Sequence, residues 1–128
     1  MVTLVLVSHS RRLAEGVAEL LAQVGGPDAR VLVAAGTDDG GIGTSPDAVT
    51  DAVTAGLRDG GEVVVIPDLG SAVLSVRLAL EDADPGRAVL VDAPFVEGAV
   101  AAGVTAATGG SLAEVVAAAE QAYEARKT

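Results

Sequence analysis

The sequence has no cysteine, no tryptophan and only two aromatic side chains, those of Phe95 and Tyr123. Without cysteine the chain cannot form disulfides, thiolate zinc sites or iron–sulfur clusters, and it has no cysteine nucleophile. Without more aromatic residues it lacks the side chains that stack on nucleobases, flavins and sugars. These absences exclude several classes of cofactor and ligand before any motif is considered.

Positively charged side chains are also scarce. Eight Lys and Arg residues stand against eighteen Asp and Glu residues, which gives a formal net charge of −10. A chain of this sign is not held on nucleic acid or on an anionic membrane by counterion release, so neither is a predicted partner, whereas a basic protein partner is favoured. The longest uncharged stretch, residues 98–113, is shorter than a membrane span. The sequence therefore predicts a soluble cytoplasmic protein.

The 128 residues, half of them hydrophobic, are enough for one packed domain, predicted over residues 1–128. Four short runs are continuously apolar and rich in β-branched residues, as is typical of strands buried on both faces. These runs cover residues 3–7, 31–34, 62–66 and 88–91. Helical patterns alternate with them and follow the last one, over residues 13–24, 48–57, 73–80, 96–108 and 112–126. This alternation predicts an α/β fold of three layers, with a four-stranded parallel sheet of order 2-1-3-4 flanked by helices.

Turn and capping signals support the predicted boundaries. Glycine-containing turns are predicted to end the first three helices, at residues 25–28, 59–61 and 84–86. Ser45, followed by Pro46, and Ser111 are predicted helix N-caps. One long irregular connection, AGTDDGGIGTS at residues 35–45, lies between the second strand and the second helix. Because loops of this length are uncommon in compact domains, we predict that it is functional.

The only histidine, His9, lies where the first strand ends and the first helix begins. Ligands of open parallel sheets bind outside the carboxyl ends of the strands, and the predicted order places His9 beside Asp68, which follows the third strand. A neutral imidazole at this position could attack phosphorus, with Asp68 fixing the tautomer through the other ring nitrogen. Alternatively, His9 is a structural residue and Asp68 only caps a helix.

Other side chains at the strand ends are candidate contacts to a phosphoryl group or a partner. The hydroxyls of Ser8 and Ser10 could donate to phosphoryl oxygens or merely cap the first helix. Arg11 and its neighbour Arg12, in the first turn of that helix, either contact an anion or are solvated. The loop could wrap a phosphate with its backbone amides, although it has neither the Walker nor the dinucleotide-binding order of glycines. The remaining candidates are Gly36, Thr37, Gly40, Gly41, Gly43, Thr44, Gly70 and Ser71. Asp38 and Asp39 are interpreted as solvated turn residues, and no metal site is predicted.

Four segments, in order, resemble one known family: LVLVSHSRRLAEGVAEL, AAGTDDGGIGTS, DLGSAVLSVRLALE and DAPFVEGAVAAGVTAATG. They are similar to the phosphotransferase subunits of phosphoenolpyruvate-dependent dihydroxyacetone kinases, the DhaM family. The resemblance covers residues 2–124. It implies the mannose-type IIA fold of the phosphotransferase system.

The resemblance also implies a function. His9 would accept a phosphoryl group from the phosphorylated carrier protein HPr and pass it to ADP, which is held with magnesium on the nucleotide-binding dihydroxyacetone kinase subunit. The chain itself would need no cofactor and no metal, Asp68 would support His9, and the protein would be a homodimer. Some members continue into HPr-like and enzyme I-like segments. These 128 residues carry neither, so a separate HPr is the expected donor unless the chain is a fragment of a longer protein.

Two other functions remain alternatives. The opening LVLVSHSRR also resembles small cobalt chelatases, in which a histidine after the first strand binds the substrate metal. With one histidine and no cysteine, the other ligands here would be carboxylates, a poor set for cobalt or nickel. The second alternative is a non-catalytic regulatory module that senses a small anion at the same strand ends, which only the fold analogy supports.

Overall fold

The computed structural model of the protein describes residues 1–26 and 28–128, and it contains the predicted sheet. The strands are β1 (Val2–Ser8), β2 (Val31–Ala35), β3 (Glu62–Pro67) and β4 (Ala88–Leu90). They are parallel and lie in the order β2-β1-β3-β4, so the predicted strand order is confirmed. The first three strands each extend at least one residue beyond the predicted run, whereas β4 ends one residue earlier than predicted.

In the described part of the chain, five α-helices connect and cover the strands. They are α1 (Arg11–Val24), α2 (Pro46–Gly56), α3 (Gly70–Leu80), α4 (Phe95–Ala107) and α5 (Leu112–Gln121). Ser45 caps α2 with Pro46 at its first position, and Ser111 caps α5 in a capping box with Glu114, as predicted. Among the described residues, no helix is long and apolar enough to cross a membrane.

The sheet separates two apolar cores, which explains why its strands are continuously hydrophobic. Alternate residues of β1 point to opposite faces: Leu4 and Leu6 join the core under α1, α4 and α5, whereas Val5 and Val7 join the core under α2 and α3. Every residue of β1 is buried. The three-layer architecture follows from this burial of both faces.

The helix boundaries differ most from the predictions at the end of α5, whereas the other helix starts and ends lie within three residues of the predicted ones. The last helix was predicted to reach residue 126, but α5 ends at Gln121 and a 3₁₀ turn, Ala122–Glu124, follows it. In that turn the Tyr123 hydroxyl donates a hydrogen bond of 2.6 Å to Asp92 Oδ1, beyond the end of β4, so a tertiary contact accompanies the departure from the helix. The turn after α2 contains a 3₁₀ segment, Arg58–Gly60, in which Asp59 has a φ of 55°. The turn predicted at residues 25–28 includes Pro27, which lies outside the described residues.

Backbone hydrogen bonds bring three strand exits together at the carboxyl edge of the sheet. The Asp68 amide donates to Val7 O at 2.9 Å, and the Gly36 amide donates to Ser8 O at 3.1 Å. The segments that follow β1, β2 and β3 therefore meet around residues 8 and 9. This edge carries the candidate residues.

Candidate functional site

His9 and Asp68 form the centre of the site. The His9 Nδ1 atom lies 2.9 Å from Asp68 Oδ1, and the strand order explains this contact because β1 and β3 are neighbours. The Asp68 carboxylate is almost fully buried, whereas the imidazole is 22% exposed. The carboxylate is therefore fixed inside the protein, whereas the imidazole reaches the surface.

Four donors converge on the Asp68 carboxylate. Its Oδ2 accepts the Ser8 hydroxyl at 2.9 Å and the His9 backbone amide at 3.0 Å, and its Oδ1 accepts the Leu69 amide at 2.7 Å beside His9 Nδ1. Burial raises the pKa of Asp68, but the hydrogen bonds from His9, Ser8 and Leu69 outweigh this effect and hold the pKa below its ordinary value. Asp68 is therefore a carboxylate at neutral pH.

The ionised carboxylate fixes the histidine tautomer. Because a carboxylate only accepts hydrogen bonds, the proton between the two groups is on Nδ1, so in the neutral ring Nε2 carries the lone pair. On the other side of the ring, the Ser71 hydroxyl lies 2.9 Å from Nε2, where it is the donor to the neutral ring. Ser71 is exposed at the start of α3, so Nε2 is the ring nitrogen that an incoming group can reach.

The two serines that flank His9 have different positions. Ser8 is fully buried, and its hydroxyl donates to Asp68 while accepting the Ser10 amide at 3.1 Å. It therefore faces the carboxylate rather than an incoming phosphoryl group. The Ser10 hydroxyl accepts the Leu13 amide at 3.2 Å and is the N-cap of α1. Asp68 does not cap α3, whose N-cap is Leu69.

The glycine-rich loop folds largely onto itself. The amides of Thr37, Gly40 and Gly41 donate to acceptors within the loop, and Thr37 Oγ1 donates to Asp39. The Thr37 hydroxyl, followed by the Gly41 amide, lowers the pKa of Asp39. The Gly43 amide instead donates to His9 O at 2.9 Å, so this end of the loop is adjacent to the histidine.

The remaining candidates surround this centre at different distances. The Arg11 guanidinium donates to Ala35 O at 2.9 Å, which holds it over the end of β2, and it also lies 3.7 Å from Glu15. Gly36 is buried at the beginning of the loop, and Gly70 is exposed at the first position of α3. Thr44 Oγ1 pairs with Ser75 Oγ at 2.7 Å, a contact made with α3 rather than with His9.

Sequence reasoning missed the Leu69 amide, which is one of the four donors to Asp68. A backbone amide donor cannot be recognised from the type of residue that carries it. The contact of the Leu69 amide with Asp68 follows only from the tight turn that the chain makes between β3 and α3. In residues 1–26 and 28–128, no group of three or more His, Asp or Glu side chains is arranged to hold a metal ion.

Residues 3–116 match the model of the family EIIA-man, described as "PTS system fructose IIA component". The chain belongs to this family. The match extends from β1 into α5 and includes both His9 and Asp68. EIIA-man membership agrees with the four-stranded parallel sheet of order 2-1-3-4, and the predicted mannose-type IIA fold is confirmed.

Curated relatives of this EIIA-man chain are phosphoryl donor subunits, named DhaM, of PEP-dependent dihydroxyacetone kinases. The DhaM proteins of Klebsiella michiganensis and of Escherichia coli strain K12 are each 44% identical to it over 99% of this chain, but the chain spans only 28% of their length. DhaM of the second such kinase of Listeria innocua is 36% identical, and the match covers 81% of this chain and 85% of that protein. The predicted resemblance to the DhaM family is confirmed.

A solved structure shows the same fold. The crystal structure of the unknown-function protein EF1359 superposes with a TM-score of 0.81 at 33% sequence identity. The match covers 94% of this chain and 93% of that one, so the two chains share nearly all of their elements.

Proposed function

We propose that this chain is the phosphohistidine carrier of a phosphoenolpyruvate-dependent dihydroxyacetone kinase. His9 accepts a phosphoryl group from phosphorylated HPr and transfers it to ADP on the nucleotide-binding kinase subunit, where the ATP formed serves dihydroxyacetone phosphorylation. The observation that carries the proposal is the partly exposed imidazole of His9, held by Asp68 at Nδ1 and facing the exposed Ser71 hydroxyl at Nε2. The names of the DhaM relatives support the kinase system to which it belongs.

The geometry favours Nε2 as the phosphoryl acceptor. Its lone pair attacks phosphorus while Nδ1 keeps its proton, so no separate base is required. The phosphorylated ring is cationic, and the Asp68 carboxylate, 2.9 Å from Nδ1, stabilises that charge. Transfer of the phosphoryl group from His9 to its acceptor reverses these steps. The same carboxylate holds the ring in place as the phosphoryl group leaves.

The groups around Nε2 suit an incoming anion. When phosphorus bonds to Nε2, the Ser71 hydroxyl loses its acceptor and becomes free to donate to a phosphoryl oxygen. Both α1 and α3 begin beside His9, and the positive ends of their dipoles favour negative charge there. Arg11, held over the end of β2, adds a full positive charge near the same edge.

The other parts of the proposal concern partners. ADP and magnesium belong to the kinase subunit, so the carrier presents His9 to a partner's bound nucleotide and binds no cofactor of its own. A homodimer is part of the same proposal. Light scattering should then give twice the mass of one chain.

The test is the intact mass of the protein after incubation with phosphoenolpyruvate, enzyme I and HPr. We expect the wild-type chain to gain one phosphate, in an acid-labile and base-stable bond to nitrogen, and to lose it when the ADP-loaded kinase subunit is added. His9→Ala should gain none, because the nucleophilic nitrogen is gone. The variant should keep its fold, since His9 lies at a strand exit and not in a core.

Circular dichroism of His9→Ala provides the control for folding. Loss of the fold together with acceptance would indicate a structural histidine. No mass gain by the wild-type chain, despite verified phosphorylated HPr, would contradict the carrier function. Titrations with cobalt and with inorganic phosphate would then separate the chelatase from the anion sensor.

A further inference from the structure

Two hydroxyl contacts on one face of α3 join this helix to the surroundings of His9. The Ser71 hydroxyl lies 2.9 Å from His9 Nε2, and the Ser75 hydroxyl lies 2.7 Å from Thr44 Oγ1. Ser71 and Ser75 are four residues apart, so their side chains are neighbours on one side of the helix, about 6 Å apart along its axis. The helix therefore contacts the histidine with its first turn and the glycine-rich loop with the next.

The loop completes a closed set of contacts around His9. The Gly43 amide donates to His9 O at 2.9 Å, and Thr44, the next residue, pairs with Ser75. Immediately after it, the Ser45 hydroxyl caps α2. Thr44 is thus held on both sides along the chain, between the residue that binds the histidine backbone and the cap of the next helix.

The first turn of α3 has few other constraints. Its N-cap, Leu69, makes no side-chain hydrogen bond to the helix, and Gly70 and Ser71 are exposed. Among the described residues, the contact between Thr44 and Ser75 is the only hydrogen bond that joins residues 36–45 to α3. This hydroxyl pair therefore fixes the separation between α3 and the part of the loop that holds the histidine backbone.

We propose that Thr44 and Ser75 are positioning residues, whose hydroxyl pair holds the Ser71 hydroxyl within reach of His9 Nε2. This inference rests on the function proposed above. As the Nε2 lone pair forms a bond to phosphorus, the bond between phosphorus and the donor's ring nitrogen breaks, and its electron pair stays on that nitrogen. The Ser71 O–H turns at the same time from Nε2 to a phosphoryl oxygen.

This reorientation explains why the placement of Ser71 matters. One hydroxyl has to donate to Nε2 before transfer and to a phosphoryl oxygen during transfer. A hydrogen bond weakens steeply away from its preferred geometry, and a displacement of about 1 Å can slow a reaction about 10²-fold. In the structure, Thr44 and Ser75 contact each other and not the imidazole, so they act through the position that α3 gives to Ser71.

The experiment measures single-turnover transfer from phosphorylated HPr, and it separates the maximal rate from the HPr concentration that gives half of it. Thr44→Val and Ser75→Ala each remove one hydroxyl of the pair. Each should lower the maximal rate about tenfold and leave the half-saturating concentration within about twofold. Thr44→Ser keeps the hydroxyl and should retain the wild-type rate. Thr50→Val is the matched control and should also retain it, because the Thr50 hydroxyl donates only to Pro46 O within α2.

A double variant distinguishes positioning from stability. Thr44→Val alone leaves the half-buried Ser75 hydroxyl without its partner, whereas T44V/S75A removes both groups and should recover most of the wild-type urea midpoint of unfolding. The maximal rate of T44V/S75A should nevertheless stay about tenfold below that of wild type, because no hydrogen bond then joins the loop to α3. A maximal rate that recovered together with stability would reduce the pair to a structural contact.

A double-mutant cycle tests whether the effect passes through Ser71. Ser71→Ala should lower the maximal rate about tenfold or more, because a donor to the phosphoryl oxygens is lost. T44V/S71A should be no slower than Ser71→Ala, because no hydroxyl is left to position. Losses that multiplied in T44V/S71A would mean that Thr44 acts independently of Ser71, which would overturn the proposal.

Failure of this proposal and failure of the carrier function give different results. Normal acceptance by the wild-type chain, with unchanged maximal rates for Thr44→Val and Ser75→Ala, would refute the positioning pair and leave the carrier function intact. A raised half-saturating concentration with an unchanged maximal rate would refute it as well, because the pair would then affect binding of HPr and not the transfer step. No acceptance by the wild-type chain, despite verified phosphorylated HPr, would refute both.

Discussion

At the scale of single residues, the site depends on how many donors the Asp68 carboxylate can satisfy. Four donors share its two oxygens, and three of them, the Ser8 hydroxyl and the His9 and Leu69 amides, belong to the protein scaffold rather than to the reactive ring. Asparagine has the same shape but only one acceptor oxygen, and its amide nitrogen would face donors. The carboxylate is thus required for the local structure as well as for the charge on His9.

Asp68→Asn should therefore lower the free energy of unfolding by about 1–3 kcal/mol at pH 7, because buried donors lose their acceptor. The folded protein holds the pKa of Asp68 below its ordinary value, so the carboxylate contributes its stability above about pH 4, near the unfolded pKa. That contribution is lost as the pH falls through the folded pKa. The difference between wild type and Asp68→Asn should accordingly shrink below about pH 4, as measured by urea unfolding.

Asp38→Asn is the control for this pH profile, since Asp38 is an exposed acid on the loop. It removes the same formal charge and should change the unfolding free energy by less than about 0.5 kcal/mol. A difference between wild type and Asp68→Asn that stayed constant from pH 7 to pH 3 would show that packing of the side chain, and not its ionisation, stabilises the site.

At the scale of helices and strands, close backbone approach determines where glycine is required. Gly98 is buried in α4, and a Cβ added there would lie 2.7 Å from the Cβ of Ala93, which no rotamer change can move. Gly16 is exposed in α1, and a Cβ added there would meet nothing within 4 Å. The same substitution should therefore have opposite effects in the two helices.

Gly98→Ala should destabilise the protein by about 1–3 kcal/mol through overpacking, whereas Gly16→Ala should stabilise it by about 0.5–1 kcal/mol through helix propensity. Thermal unfolding of the two variants beside wild type measures both effects. Stabilisation of both variants would mean that helix propensity outweighs the contact between Gly98 and Ala93.

The elements that could be predicted from the sequence are those determined by local patterns. Continuous β-branched runs identify strands buried on both faces, and the alternation with helices limits the strand order, which in turn places Asp68 next to His9. The end of α5 could not be predicted in this way, because Tyr123 there contacts Asp92, thirty-one residues earlier in the chain. The burial of Ser8 and the contact of Ser71 with Nε2 depend on side-chain rotamers, which a one-dimensional pattern does not contain.

At the scale of the whole molecule, the excess of acidic side chains opposes the compact state. The chain carries a net charge of −10, and within the described residues only two ion pairs are formed, Arg11 with Glu15 and Lys127 with Glu97, besides the contact between His9 and Asp68. Most carboxylates therefore repel one another through the solvent at low ionic strength. Folding brings them closer together, so the repulsion weakens the folded state more than the unfolded chain.

Added salt should consequently stabilise the protein. Raising NaCl from about 10 mM to about 150 mM shortens the screening length from about 30 Å to about 8 Å, and we expect the unfolding free energy to rise by about 1 kcal/mol. Glu120→Gln offers an internal check, because Glu120 is exposed in the last turn of α5, where a negative charge also opposes the helix dipole. The variant should be more stable than wild type at 10 mM NaCl, and its advantage should decrease at 150 mM. Unfolding free energies that do not depend on salt would mean that self-repulsion of the acidic surface contributes nothing measurable to stability.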